Sequence, residues 1–224
     1  LDEGTSNTYS FLNNSITSIC IENKSVYLFD LEAKAYFLGY ENFYDSKQWH
    51  ISMLPFKANA VEYLGIEISK FCLSFFGFAH KLIIVDADNT IWGGIIGEDG
   101  FSNVKIGSIF PGNLYETFQK ELKLLKNRGA VLALCTKNNI NDINEAFTKI
   151  KSMPLKINDF VSIRANWKTK TENIISILKE LNLNANNTLF IDDSPQEIEL
   201  VLKSIEDIST YLLPRNPSEF INCL

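Results

Sequence analysis

The chain has 224 residues, with 21 Lys plus Arg against 27 Asp plus Glu, a formal net charge of −6 at pH 7. That length suits one large domain, or one domain with an accessory piece. Hydrophobic residues make up 46% and charged residues 21%, which excludes disorder and collagen-like repeats. The acidic balance argues against nucleic acid as a partner, because duplex binding draws its affinity from clustered Lys and Arg. A small anionic substrate remains open, since one local pocket can oppose the global charge.

Cys20, Cys72, Cys135 and Cys223 show no CxxC spacing. That fits a reducing cytosol better than a disulfide scaffold and carries no zinc signature. The start, LDEGTSNTYS, lacks the basic and apolar regions of a signal peptide. Glu67, Lys70, His80 and Lys81 interrupt the most apolar stretch, Ile66–Ile84. A membrane helix needs about 20 nearly uncharged residues. The expectation is a soluble, cytoplasmic chain with no membrane partner.

In chain order, residues 1–78 read as an irregular accessory segment. It begins with an Asn- and Ser-rich stretch, followed by a strand candidate at Ser25–Phe29 and an aromatic loop from Tyr40 to Phe56. A helix follows over Ala58–Phe76, with apolar steps of three and four residues that predict heavy burial. Residues 79–224 have a regular rhythm. The runs LIIVD, AVLALCT, DFVSI, TLFIDD and ISTYLL alternate with predicted helices at Asn113–Asn127, Asn141–Lys151, Thr171–Leu181 and Pro195–Ser204. This pattern predicts an α/β fold with a central parallel sheet covered on both faces.

In such sheets, ligands bind outside the carboxyl ends of the strands. The first predicted strand ends in Asp86-Ala87-Asp88-Asn89-Thr90, the second in Cys135-Thr136-Lys137-Asn138 and the fourth in Asp192-Asp193-Ser194-Pro195. Trp167-Lys168-Thr169-Lys170 opens the helix after the third. Singly, each has an ordinary reading: a solvated turn, a helix cap, a surface lysine. In order at successive strand ends, they point to a phosphoryl-transfer site. Converging Asp residues are oxygen ligands that suit Mg²⁺, and a hydroxyl, a lysine and helix N-termini suit a phosphoryl group.

These motifs resemble the haloacid dehalogenase (HAD) superfamily, and most of all its FkbH-like subfamily. The resemblance covers DADNTIWGGIIGEDG (Asp86–Gly100), LALCTKNN (Leu132–Asn139), NWKTKTENI (Asn166–Ile174) and LFIDDSPQE (Leu189–Glu197). It implies a three-layer Rossmann-like fold with a short flap hairpin over Trp92–Ile106 and no large cap. It also implies that residues 1–78 are the tail of a preceding SGNH-hydrolase-like domain.

By the same resemblance, Asp86 is the nucleophile, Asp88 the general acid–base, Thr136 a phosphoryl-oxygen partner and Lys170 the cation that holds Asp86. Magnesium would be held by Asp86, the backbone carbonyl of Asp88, Asp192 and Asp193. Asn89, Thr90, Trp92, Gly93, Gly94, Lys137 and Asn138 would line the substrate site. Cys135 corresponds to a cysteine in family members implicated in glyceryl transfer from 1,3-bisphosphoglycerate to an acyl carrier protein. Its alternative reading is a buried strand residue. The functions in play are glyceryl transfer with dephosphorylation, plain phosphatase action on a small metabolite or phosphoprotein, and a non-catalytic interaction module.

Overall fold

The computed structural model describes residues 3–23, 25–75 and 80–223. The chain divides into two compact units, Leu1–Gly77 and Phe78–Leu224. The described part of the first is helical: α1 (Glu3–Glu22), α2 (Leu31–Leu38), α3 (Tyr40–Phe43), α4 (Ser46–Ser52) and α5 (Ala58–Phe75).

Here the structure corrects three expectations. The polar start forms a long helix, in which Ser15, Thr17 and Ser18 turn their hydroxyls onto the carbonyls four residues back. That bonding gives the hydroxyls partners inside the helix itself. Residues 25–29 form no strand, because no neighbouring strand pairs with them among the described residues. The aromatic stretch folds into α3 and α4, the latter capped by Asp45, which accepts from Lys47 N and Gln48 N.

Helix α5 is present, although Phe76 lies outside the described residues. It is less buried than its periodicity predicts. Ala60 and Leu64 pack with Ala35 and Phe43, whereas Val61, Ile66, Ile68 and Leu73 are exposed.

The second unit contains β1 (Leu82–Val85), α6 (Ile96–Asp99), α7 (Gly112–Asn127), β2 (Val131–Thr136), α8 (Ile140–Lys149), β3 (Phe160–Ala165), α9 (Lys170–Leu181), β4 (Thr188–Asp192), α10 (Pro195–Ser204) and β5 (Ser209–Leu212). All strand pairs are parallel, in the order β3-β2-β1-β4-β5. Because side chains alternate along a strand, each continuous apolar run feeds two layers. Ile83, Val85, Leu132 and Leu134 pack with Phe118 and Leu122 of α7 and Ile143 and Phe147 of α8. Leu82, Ile84, Ala133 and Cys135 pack with Ile174 and Ile177 of α9 and Ile198 and Val201 of α10. The result is the expected three-layer α/β arrangement.

The flap differs in detail from a two-stranded hairpin. One antiparallel bridge, Gly93 with Lys105, closes the segment, and the short turn of helix α6 fills its tip. Among the described residues no domain-sized insertion interrupts this unit. It has no large cap.

Candidate active site

The parallel register places the ends of β1 and β4 side by side, since Val85 pairs with Ile191. Asp86 and Asp192 therefore emerge together, both buried. Lys170, the first residue of α9, lies between them. Its Nζ stands 2.5 Å from Asp192 Oδ2 and 3.0 Å from Asp86 Oδ1. Thr169 places that helix start by capping it, with Glu172 reaching back to complete the capping box.

The two ion pairs are unequal. Lys170 donates a hydrogen bond to Asp192, whose other oxygen accepts from Ser194 N at 2.8 Å. Asp86 Oδ1 has the close ammonium but no aligned hydrogen-bond donor. The ammonium offsets only part of the desolvation cost of the buried Asp86 carboxylate, because it is shared with Asp192.

Oxygens of Asp86, Asp192 and Asp193 all lie within 4.8 Å of one another. Three carboxylates thus face one ammonium, and a divalent cation would offset the remaining two charges. Burial, with Asp192 adding repulsion, pushes the Asp86 carboxyl up to about 6 despite Lys170. Asp192 and Asp193 are likewise raised, chiefly by burial. Burial opposes the Lys170 ammonium, but Asp86 and Asp192 outweigh it and hold the lysine charged. The cluster's chemistry fits a hard cation with oxygen ligands.

Two residues beyond Asp86, Asp88 has a different environment. Its Oδ1 accepts from Trp92 Nε1 at 2.8 Å and Ile96 N at 3.1 Å, and its Oδ2 from Asn138 Nδ2 at 2.8 Å. Asn138 also donates to Thr136 Oγ1 at 3.0 Å, which leaves the threonine hydroxyl hydrogen free to donate elsewhere. The side chain of Asp88 is thus committed to the flap and to the end of β2. Its carboxylate is not one of the three whose oxygens gather within 4.8 Å, and the magnesium contact expected of Asp88 is through its backbone carbonyl.

The structure redistributes the expected substrate-lining residues. Trp92 is fully buried and packs on Phe147, so it positions Asp88 rather than facing a ligand. Gly93 and Gly94 meet the demands of the flap. A Cβ on Gly93 would sit 2.8 Å from the Tyr115 ring, and Gly94 has φ +99° with Asp99 Oδ2 in the way. Asn89, at φ 52°, accepts from Gly94 N and pins the same turn. Thr90 is buried with an unbonded hydroxyl. Lys137 is exposed and paired with Glu197 at 2.5 Å, across the end of the sheet.

Cys135 lies in the core under α9 and α10, and its thiol faces the Lys170 carbonyl at 3.9 Å. Burial pushes that thiol up to about 12. Fully enclosed between the sheet and α9 and α10, the thiol offers no surface to an acyl group in this arrangement, and packing is the role its contacts show. Glu197, Asn166 and Gln119 were not anticipated. Gln119 is buried and ties Ile91 O to Leu155 N, a job that leaves no trace in local sequence pattern.

No protein-family model and no curated protein matches the chain. Among solved structures, it is similar to the N-terminal part of the protein BF1531 from Bacteroides fragilis, described as containing a phosphatase domain complexed with Mg. Identity is 29%, the TM-score 0.84, and the match covers 95% of this chain and 57% of the other. The five-stranded parallel sheet with its flanking helices matches the fold of that phosphatase-containing part. The chain thus spans little more than half the length of that neighbour. More distant likenesses include a HAD family enzyme from Bacteroides thetaiotaomicron in complex with magnesium and inorganic phosphate (14% identity, TM-score 0.44, covering 62% of this chain and 96% of that one). Another is a HAD-superfamily hydrolase from Geobacter sulfurreducens (16%, TM-score 0.45, 65% and 100%). No helix among the described residues is long and apolar enough to cross a membrane.

Proposed function

We propose that residues 79–224 form a magnesium-dependent HAD-type phosphatase domain that acts through an aspartyl phosphate on Asp86. The observation that carries this reading is the buried cluster at the ends of β1 and β4, where three carboxylates meet one ammonium. The Mg complex of the similar Bacteroides fragilis domain supports the choice of cation.

Asp86, Asp192 and Asp193 would hold Mg²⁺, which supplies charge neutralisation between the carboxylate and an incoming phosphate. Asp86 then attacks phosphorus, the bond to the leaving oxygen breaks, and the phosphoryl group rests on the carboxylate. Lys170 keeps Asp86 in place and offsets negative charge on the phosphoryl oxygens. The Thr136 hydroxyl donates to one of those oxygens. Asp88 gives a proton to the leaving oxygen and later takes one from the attacking water. Trp92, Ile96 N and Asn138 fix its carboxylate for both transfers. The substrate class is a phosphorylated small molecule.

The finer reading, FkbH-like glyceryl transfer to an acyl carrier protein, draws no support from Cys135 in its buried setting. A phosphatase needs nothing beyond the groups assembled at the strand ends. The test is release of inorganic phosphate from p-nitrophenyl phosphate, with and without Mg²⁺, by the wild type and Asp86→Asn. Release that survives both chelation and the substitution would overturn the assignment. Carrier acylation from bisphosphoglycerate, read by mass, would establish the transferase reading instead.

A further inference from the structure

Trp167 lies in the segment between β3 and α9, three residues ahead of Lys170, and its side chain is 72% exposed. A lone exposed aromatic needs no explanation by itself. This one is held in place. Its indole N–H donates to Asn139 Oδ1 at 3.2 Å, next to Asn138, which bonds Asp88 and Thr136. The preceding residue, Asn166, donates from its backbone to Thr136 O and exchanges side-chain hydrogen bonds with Asn173. The following one, Lys168, donates its N–H to Asn166 Oδ1. The segment is therefore anchored on both sides to the ends of β2 and α9, the same ends that carry the reacting groups.

Hydrogen bonding consumes the polar edge of the indole and leaves the ring outside the core. A fixed aromatic face presents a flat, weakly hydrated platform with little side-chain entropy left to lose. Rings stack on such faces, and acyclic groups gain far less. Lys168, next in the chain, is exposed and adds a positive charge to this segment.

We propose that Trp167 is a specificity-determining residue, and that the substrate is a phosphate ester whose leaving group carries a ring that packs against the exposed indole. This rests on the phosphatase reading of the Asp86 cluster and adds the class of leaving group to it. No bond is made or broken at Trp167. It contributes to binding before the phosphoryl group moves to Asp86.

The test compares two ring-bearing esters, p-nitrophenyl phosphate and a hexopyranose phosphate, with acyclic glycerol 3-phosphate, in the wild type, Trp167→Ala and Trp167→Phe. The expected result is a fall of about three- to tenfold in the ratio of kcat/KM for ring over acyclic esters in Trp167→Ala. The loss should reside in KM, and Trp167→Phe should restore most of it. An unchanged ratio overturns the proposal, as does an equal loss for all three esters. A pyranose arm that responds while the nitrophenyl arm does not assigns the site to sugar phosphates, and the reverse assigns it to aromatic esters.

Indole fluorescence separates this proposal from the phosphatase reading on which it rests. In the Asp86→Asn background, ring-bearing phosphates should quench emission, and Trp167→Phe should abolish that quenching. Quenching without any wild-type turnover would refute the phosphatase and leave the ring site standing. Turnover without quenching or discrimination would do the opposite.

Discussion

Asp86 and Asp88 stand two residues apart, yet the fold gives them opposite surroundings. Asp86 is buried with Asp192 and Asp193 around one lysine and keeps an oxygen without an aligned donor. Asp88 accepts three hydrogen bonds from Trp92, Ile96 N and Asn138. One carboxylate sits in an electrostatic deficit that a cation and a phosphoryl group can fill. The other is held still by neutral donors, as a proton carrier needs to be. The chain leaves the sheet after Val85 and makes this division, because Asp86 still hydrogen-bonds to the neighbouring strand at Ile191 whereas Asp88 already bridges to Trp92 of the flap.

The largest expected effect comes from Asp86→Asn. Phosphate release should fall by about 10⁴-fold or more, as for the loss of a covalent nucleophile. The metal-free protein should nevertheless gain thermal stability, because one charge leaves an overloaded cluster. A lower melting temperature for that variant would break the contrast between the two carboxylates.

Asp88→Asn should cost about 10²- to 10⁴-fold in kcat, the range of general acid–base catalysis. Its Mg²⁺ affinity, measured by calorimetry, should match the wild type. Weakened metal binding would place the Asp88 side chain, and not its carbonyl alone, in the metal shell.

Lys170→Met should destabilise the metal-free fold by about 3–5 kcal/mol in a urea titration, because two buried carboxylates lose their shared partner. Smaller losses would mean that the aspartates pick up protons at little cost.

The pH dependence follows from the Asp86 carboxyl, pushed up to about 6 by burial from an ordinary 3.8. The folded state then binds the proton more tightly than the unfolded chain does. This group's contribution is complete below about 3.8 and is lost as pH rises through about 6, an effect on the order of 3 kcal/mol. A bound cation replaces the proton. Magnesium should therefore raise the melting temperature more at pH 7.5 than at pH 5, and an equal rise at both would contradict the placement of Asp86.

The smallest effect is expected at Cys135→Ala, about 1 kcal/mol of stability with phosphate release within twofold of the wild type. A large loss of turnover with an intact fold would return Cys135 to the chemistry.

Much of the sheet unit was legible from its sequence. Buried parallel strands read as short apolar runs, and their helices have strong 3.6-residue patterns, so boundaries for α10 and the start of β1 match residue for residue. The capping box of Thr169 and Glu172 and the Ser194–Pro195 start are local signals of helix beginnings. The helical unit was less legible. Its polar α1 relies on hydroxyls bonding within the helix, and Ser25–Phe29 has strand-forming residues but no partner strand. Propensity yields to pairing in such a segment.

By itself, the sequence determined which groups reach the strand ends: Asp86, Asp88, Thr136, Lys170, Asp192 and Asp193 all end, follow or open elements whose pattern is local. Tertiary structure alone decided how those groups divide. Lys170 selects Asp86 and Asp192 across 84 and 22 residues of chain (170 − 86 and 192 − 170), and Trp92 turns inward to hold Asp88. It also decided that Cys135 faces the core while its neighbour Thr136 turns toward Asn138 at the sheet end. Hydrogen-bond partners and dielectric environment are set by contacts distant along the chain, which no local periodicity encodes.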